Sequence, residues 1–146
     1  MIWRSEDDTR ALAARLAARP AIANAFVELR GELGAGKTTF VRHLLQALGV
    51  QGRIKSPTYA VVEPYELPHL NIWHFDFYRF SDPREWEDAG FRDIFSSTGL
   101  KLAEWPDKAA GLLPPADLVL HIEVQADETR QVRLQAQTAA GQELLA

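Results

Sequence analysis

AFVELRGELGAGKTTFVRHLLQAL, residues 25–48, decides how this chain folds. Residues 25–29 are a short apolar run of the kind that forms a buried strand. Residues 31–36 form a loop. Residues 38–48 put Phe40, Val41, Leu44, Leu45 and Leu48 on one helical face, and Gly49 stops the helix. Between strand and helix, Gly31-Glu32-Leu33-Gly34-Ala35-Gly36-Lys37-Thr38 fits G-x-x-x-x-G-K-[ST] at every fixed position. The glycines let the backbone turn so that successive N–H groups point into one concavity that holds phosphate oxygens. The positive end of the following helix faces the same spot. Lys37 then supplies a charge to the β- and γ-phosphates, and the Thr38 hydroxyl takes one coordination site on Mg2+. A nucleoside-triphosphate site is the expectation.

On the N-terminal side, Ser5 followed by Glu6, Asp7 and Asp8 reads as a capped helix start, and the Ala/Leu-rich segment 9–19 runs up to Pro20. On the C-terminal side, residues 58–65 and 71–78 are β-rich and separated by a stretch containing Pro68, which predicts an antiparallel pair. Ser81-Asp82-Pro83 opens a short helix through residues 85–89. Residues 100–103 form a third short apolar run. Residues 117–125 and 130–138 alternate around Asp127-Glu128-Thr129 and predict a second hairpin. The expected fold is therefore α/β: a P-loop NTPase-like mixed sheet flanked by helices, with antiparallel hairpin extensions.

The chain's 146 residues suit one domain, 1–146. Sixteen Lys and Arg against twenty Asp and Glu give a net charge of -4, so no cationic field draws the chain onto nucleic acid or an anionic membrane. Zero cysteines exclude a disulfide scaffold, a thiolate metal site and a thiol nucleophile. No apolar run approaches the roughly 20 residues of a membrane span. The acidic start MIWRSEDDTR is unlike a signal peptide, so the cytoplasm is the expected compartment.

A P-loop needs an acidic partner for its metal ion at the end of a neighbouring strand. Two residues are candidates. Asp76 shares a strand face with His74 and Tyr78, opposite Trp73, Phe75 and Phe77. Glu104 directly follows the apolar run 100–103, at a strand's carboxyl end, where α/β sheets bind ligands. Spacing alone does not choose between them. Ser56-Pro57-Thr58-Tyr59 sits where a hydroxyl can sense a γ-phosphate. Arg79, Arg130 and Arg133 are candidate phosphate clamps, and Trp105 is positioned to line a nucleotide pocket while the other tryptophans read as core. The acidic run Asp82, Glu85, Glu87, Asp88 reads as a solvated helix face.

Five motifs occur in one order: residues 31–40; Lys55-Ser56-Pro57-Thr58-Tyr59; Val62-Glu63-Pro64-Tyr65; His74-Phe75-Asp76-Phe77-Tyr78-Arg79; and Glu104-Trp105-Pro106. In that order the chain resembles the bacterial TsaE (YjeE) family, the ATPase component of tRNA threonylcarbamoyladenosine biosynthesis, over nearly its whole length. The resemblance implies a small cytoplasmic ATPase, weak alone, that hydrolyses ATP with Mg2+ and acts with the TsaB and TsaD proteins. TsaD transfers the threonylcarbamoyl group onto the adenosine next to the anticodon, and ATP hydrolysis resets that complex. It further implies that Gly34, Ala35, Gly36, Lys37, Thr38 and Thr39 wrap the phosphates and that Thr38 and Glu104 bind Mg2+. Asp76 becomes the essential carboxylate near the γ-phosphate, alongside Lys37, and Thr58 the hydroxyl of a switch-like loop. Trp105 and an arginine of the last hairpin, Arg130 before Arg133, complete the nucleotide contacts. A further contact falls among residues 6–9, and tRNA is engaged only through the partners.

Other classes of protein carry this loop. A small-molecule kinase also needs an acceptor pocket and an arginine-bearing lid, for which the strand-rich C-terminal third offers little helical sequence. A GTP-dependent switch needs an Asn-Lys-x-Asp run, which the chain lacks. A scaffold that holds nucleotide as a plug binds partners without turnover.

Overall fold

The computed structural model describes residues 1–57 and 60–146. Its strands are β1 (Ile2–Trp3), β2 (Phe26–Arg30), β3 (Val62–Leu67), β4 (Leu70–Asp76), β5 (Leu100–Glu104), β6 (Leu118–Val124) and β7 (Arg130–Ala136). The helices are α1 (Glu6–Ala17), α2 (Lys37–Leu48), α3 (Pro83–Asp88), α4 (Phe91–Ser96) and α5 (Ala139–Leu145), with single 3-10 turns at Pro20–Asn24 and Pro106–Ala109. The strands make one sheet in the order β1-β7-β6-β2-β5-β4-β3. β6, β2, β5 and β4 run parallel, and β3, β7 and β1 are each antiparallel to the neighbour they pair with. This is the expected α/β fold: a parallel centre with an antiparallel hairpin on either side.

Burial explains the layering. The β2 residues Phe26, Val27, Glu28 and Leu29 are all buried, as a central parallel strand covered on both faces requires. One face is packed by α1, α2 and α5 through Leu12, Leu16, Phe40, Leu44 and Leu144. The other is packed by α3 and α4, where Phe75, Phe77, Trp86 and Phe91 form an aromatic cluster. In α1 the buried residues Thr9, Leu12, Ala13 and Leu16 lie on one stripe at helical spacing. α2 ends at Gly49, whose φ of 109° belongs to the left-handed region; Val50 N–H donates back to Leu45 O at 3.0 Å and closes the turn.

Several local details differ from the sequence reading. Ser5 occupies the N-cap of α1, but its hydroxyl caps nothing; the Asp8 carboxylate accepts from Arg4 N–H at 2.7 Å instead. α1 stops at Ala17, two residues before the expected end. The strand expected to run through residue 78 ends at Asp76: Phe77 N–H makes the last bond to β5, at Glu104 O where that strand ends, and Phe80 N–H then bonds Phe77 O as the chain turns off the sheet. β1, α4 and α5 were not foreseen. Asp82 does cap α3, accepting from Arg84 N–H at 2.9 Å, and Glu85, Glu87 and Asp88 are exposed as expected.

Candidate nucleotide-binding site

The loop 31–36 leaves the carboxyl end of β2 and runs into α2, so it sits above the parallel centre of the sheet, where α/β folds bind ligands. Gly36 holds the N-cap of α2 with φ 110°, a backbone state other residues rarely adopt. Having no side chain, it leaves the first-turn N–H groups of a twelve-residue helix without a side-chain cap. Such a terminus favours an anion.

Two carboxylates stand beside it. Asp76 ends β4 and Glu104 ends β5, and the two are register partners across the parallel pair. Thr38 Oγ1 donates to Glu104 Oε1 at 2.9 Å and lies 3.2 Å from Oε2. Glu104 is 2% exposed, and its Oε2 also meets His74 Nε2 at 2.6 Å. Burial pushes the Asp76 carboxyl above its ordinary range, against the opposing pull of a 3.0 Å hydrogen bond from Tyr78 N–H. Thr38, Glu104 and Asp76 are all oxygen donors, which suits a hard cation such as Mg2+. Among the described residues no group of three His, Cys, Asp or Glu converges in metal-holding fashion. A P-loop cation does not require one, because Mg2+ retains waters and phosphate oxygens.

Lys37 is buried, with its Nζ donating to Gly31 O and lying 3.6 Å from the centroid of the Trp105 ring. Burial lowers its pKa, while Glu104, Asp76 and Asp107 act in the opposite sense. Trp105 reaches that position because its backbone is left-handed, φ 54°, immediately after Glu104. For a bulky residue this costs about 1 kcal/mol, and here it turns the indole over the lysine. Arg30 steadies the turn that follows: it bonds Glu28 at 2.9 Å and also Asp107.

The loop separates two clefts that share Gly36 and Thr39 as walls. The larger, about 460 Å³, also carries Gly34, Lys37, Thr38, Ser56, Asp76, Arg79, Glu104 and Trp105. The smaller, about 190 Å³, lies between Ala35, the chain start at Trp3, Arg4, Glu6 and Thr9, and the β6–β7 turn at Glu128 and Arg130. Arg130 Nε donates to Ala35 O at 3.1 Å. Arg133 instead faces a separate groove with Met1 and His121. The structure thus gathers Gly34, Ala35, Gly36, Lys37, Thr38, Thr39, Asp76, Glu104, Trp105 and Arg130 around one loop and leaves Arg133 outside. Of the residues 6–9, Glu6 and Thr9 line the smaller cleft. Thr58 lies outside the described residues.

The place of three side chains at this locus is not legible in the sequence. His74 shares the face of Asp76, and a histidine inside an apolar strand run is itself a signal, but nothing local gives it a task. Arg30 has no local pattern to mark it, and Trp3, expected in the core and buried there, also walls the smaller cleft.

Among known proteins, the family model described as "Threonylcarbamoyl adenosine biosynthesis protein TsaE" matches residues 3–132. A Haemophilus influenzae protein named "tRNA threonylcarbamoyladenosine biosynthesis protein TsaE" is 46% identical over 119 residues, 82% of this chain and 75% of that protein. A Bacillus subtilis protein of the same name is 34% identical over 136 residues, 92% of this chain and 84% of that one. The crystal structure of Bacillus subtilis YdiB superposes with a TM-score of 0.77 at 27% identity, covering 99% of this chain and 89% of that one.

Proposed function

Because the chain belongs to the TsaE family, we propose that it is a P-loop ATPase that serves the threonylcarbamoylation of the tRNA adenosine next to the anticodon, acting with TsaB and TsaD. The observation that carries the ATPase reading is the convergence at one loop: Lys37 and the uncapped start of α2 on one side, the Thr38–Glu104 hydrogen bond and the registered Asp76 on the other.

Residues 1–146 act as one ATPase domain. The phosphates of ATP occupy the loop of residues 34–39, and the adenosine extends into the smaller cleft beside Arg130. Lys37 exchanges Gly31 O for phosphate oxygen, its charge no longer stacked on Trp105 alone. Thr38 and Glu104 hold Mg2+, which when bound neutralises charge on the phosphate oxygens. Asp76, kept in place by Tyr78 N–H, orients the attacking water. Catalysis on this reading is positioning and charge stabilisation, not covalent chemistry.

The chain's net charge of -4 argues that tRNA is held by the partners and not by this subunit. The described helices include none long and apolar enough to cross a membrane. The cytoplasm is the compartment this reading proposes. ATP turnover by the isolated protein and by the protein with TsaB and TsaD tests the reading. Slow turnover alone and a marked rise with the partners is expected; phosphate transfer to a small acceptor instead of water would identify a kinase.

A further inference from the structure

His74 takes no part in the proposed chemistry, yet it is completely buried against the carboxylate at its centre. It stands opposite Leu102 in the β4–β5 pairing, while Asp76 stands opposite Glu104. His74 and Asp76 therefore share a face, and the imidazole reaches Glu104 diagonally across the two strands. The contact is short, 2.6 Å from Nε2 to Oε2, and it removes one of the carboxylate's oxygens from free rotation. The other oxygen, Oε1, is the one closer to the hydroxyl of Thr38.

The second ring nitrogen sharpens the assignment. Nδ1 is buried and has no hydrogen-bond partner among the described residues. Nδ1 is unpartnered in either tautomer, so Nε2 decides: a proton on Nδ1 would bury a donor with no acceptor and leave two lone pairs facing each other at Nε2 and Oε2, 2.6 Å apart. The proton belongs on Nε2, where it points at Glu104.

We propose that His74 is a positioning residue that, by donating from Nε2 to Glu104 Oε2, sets the carboxylate so that its other oxygen is presented beside Thr38 for the cation. This rests on the reading of Thr38 and Glu104 as the Mg2+-holding pair. Hydrogen-bonded neighbours of metal-binding carboxylates commonly govern metal affinity in this way.

The test compares ATP binding by calorimetry in Mg2+ and in chelator for the parent chain, His74→Phe, His74→Gln and Glu104→Gln, with thermal melts alongside. His74→Phe keeps the ring volume without a donor, whereas His74→Gln keeps a donor. For His74→Phe, metal-free affinity should hold while the gain conferred by Mg2+ falls about ten-fold or more, and His74→Gln should recover most of that gain. A full Mg2+-dependent gain in His74→Phe overturns the proposal. So does an equal loss with and without Mg2+, the mark of a merely structural residue, or a folded His74→Gln that behaves like His74→Phe. A parent chain that binds ATP equally well with and without Mg2+ sinks the metal reading beneath it. Should the variants fail to fold, imidazole 15N spectra of the unsubstituted, metal-free chain decide: a protonated Nε2 with a bare Nδ1 is expected, and the reverse tautomer overturns the assignment.

Discussion

Thr38 and Glu104 are 66 residues apart in sequence, yet the hydroxyl of one lies 2.9 Å from the carboxylate of the other. The bond joins the first turn of α2 to the last residue of β5, and it exists only because β5 runs parallel beside β2. Thr38→Val keeps the side-chain shape and removes the donor. A buried carboxylate oxygen then loses its partner, so stability should fall by about 1–2 kcal/mol in urea unfolding, with ATP affinity in Mg2+ falling more than in chelator.

Lys37 and Trp105 form the second linkage. With the ammonium 3.6 Å from the indole centroid, any ligand that draws the lysine away changes the environment of that ring. Adding ATP should alter tryptophan fluorescence in the parent chain, and the change should be clearly smaller in Trp105→Phe, where only Trp3 is left beside the proposed nucleotide. An undiminished change in the variant would place the signal at Trp3, Trp73 or Trp86 and contradict the linkage.

For Asp76 the direction of the pKa shift fixes the sign of a pH effect. Burial raises its folded pKa above the ordinary 3.8, so the ionised form is destabilised by folding. Below 3.8 the group is protonated in both folded and unfolded chains and costs nothing. As pH rises from 3.8 to the raised folded pKa the penalty develops, and above that it remains in full. Asp76→Asn should therefore melt higher than the parent at pH 7, in the absence of nucleotide and metal, and the advantage should fade as pH falls from the raised folded pKa towards 3.8 and be gone below it. The same substitution should abolish turnover.

Arg130 and Arg133 belong to the same strand but face different surfaces. Arg130→Ala removes a side chain bonded to the loop at Ala35 O and should weaken ATP binding about ten-fold, read by calorimetry. Arg133→Ala, which alters only the groove beside Met1 and His121, should leave the affinity unchanged.

Local pattern made the strand–loop–helix unit and both hairpins readable, because each depends on residues close in sequence: glycine spacing, period-two alternation and turn chemistry. What stayed hidden depends on pairing at a distance. β1 is two residues long and has meaning only against β7. α4, Phe91–Ser96, is six residues long, too short for the spacing of Phe91, Ile94 and Phe95 to stand out as a helical stripe, and it starts at a left-handed Gly90. Thr138, read as the end of a strand, accepts from Gly141 N–H and opens α5. The two acidic candidates were both visible, but their register pairing followed only from the strand order. The same holds for the diagonal His74–Glu104 contact. The adjacency of Trp105 to Glu104 is legible in the sequence; the positive φ that brings it over Lys37 leaves no mark there.

The most direct test is a calorimetric titration of ATP in Mg2+ into the parent chain and into Lys37→Ala, each first verified as folded by its thermal melt. If residues 31–38 hold the phosphates, the parent binds with one-to-one stoichiometry and the variant at least about ten-fold more weakly. Equal affinity in the two proteins would contradict the account.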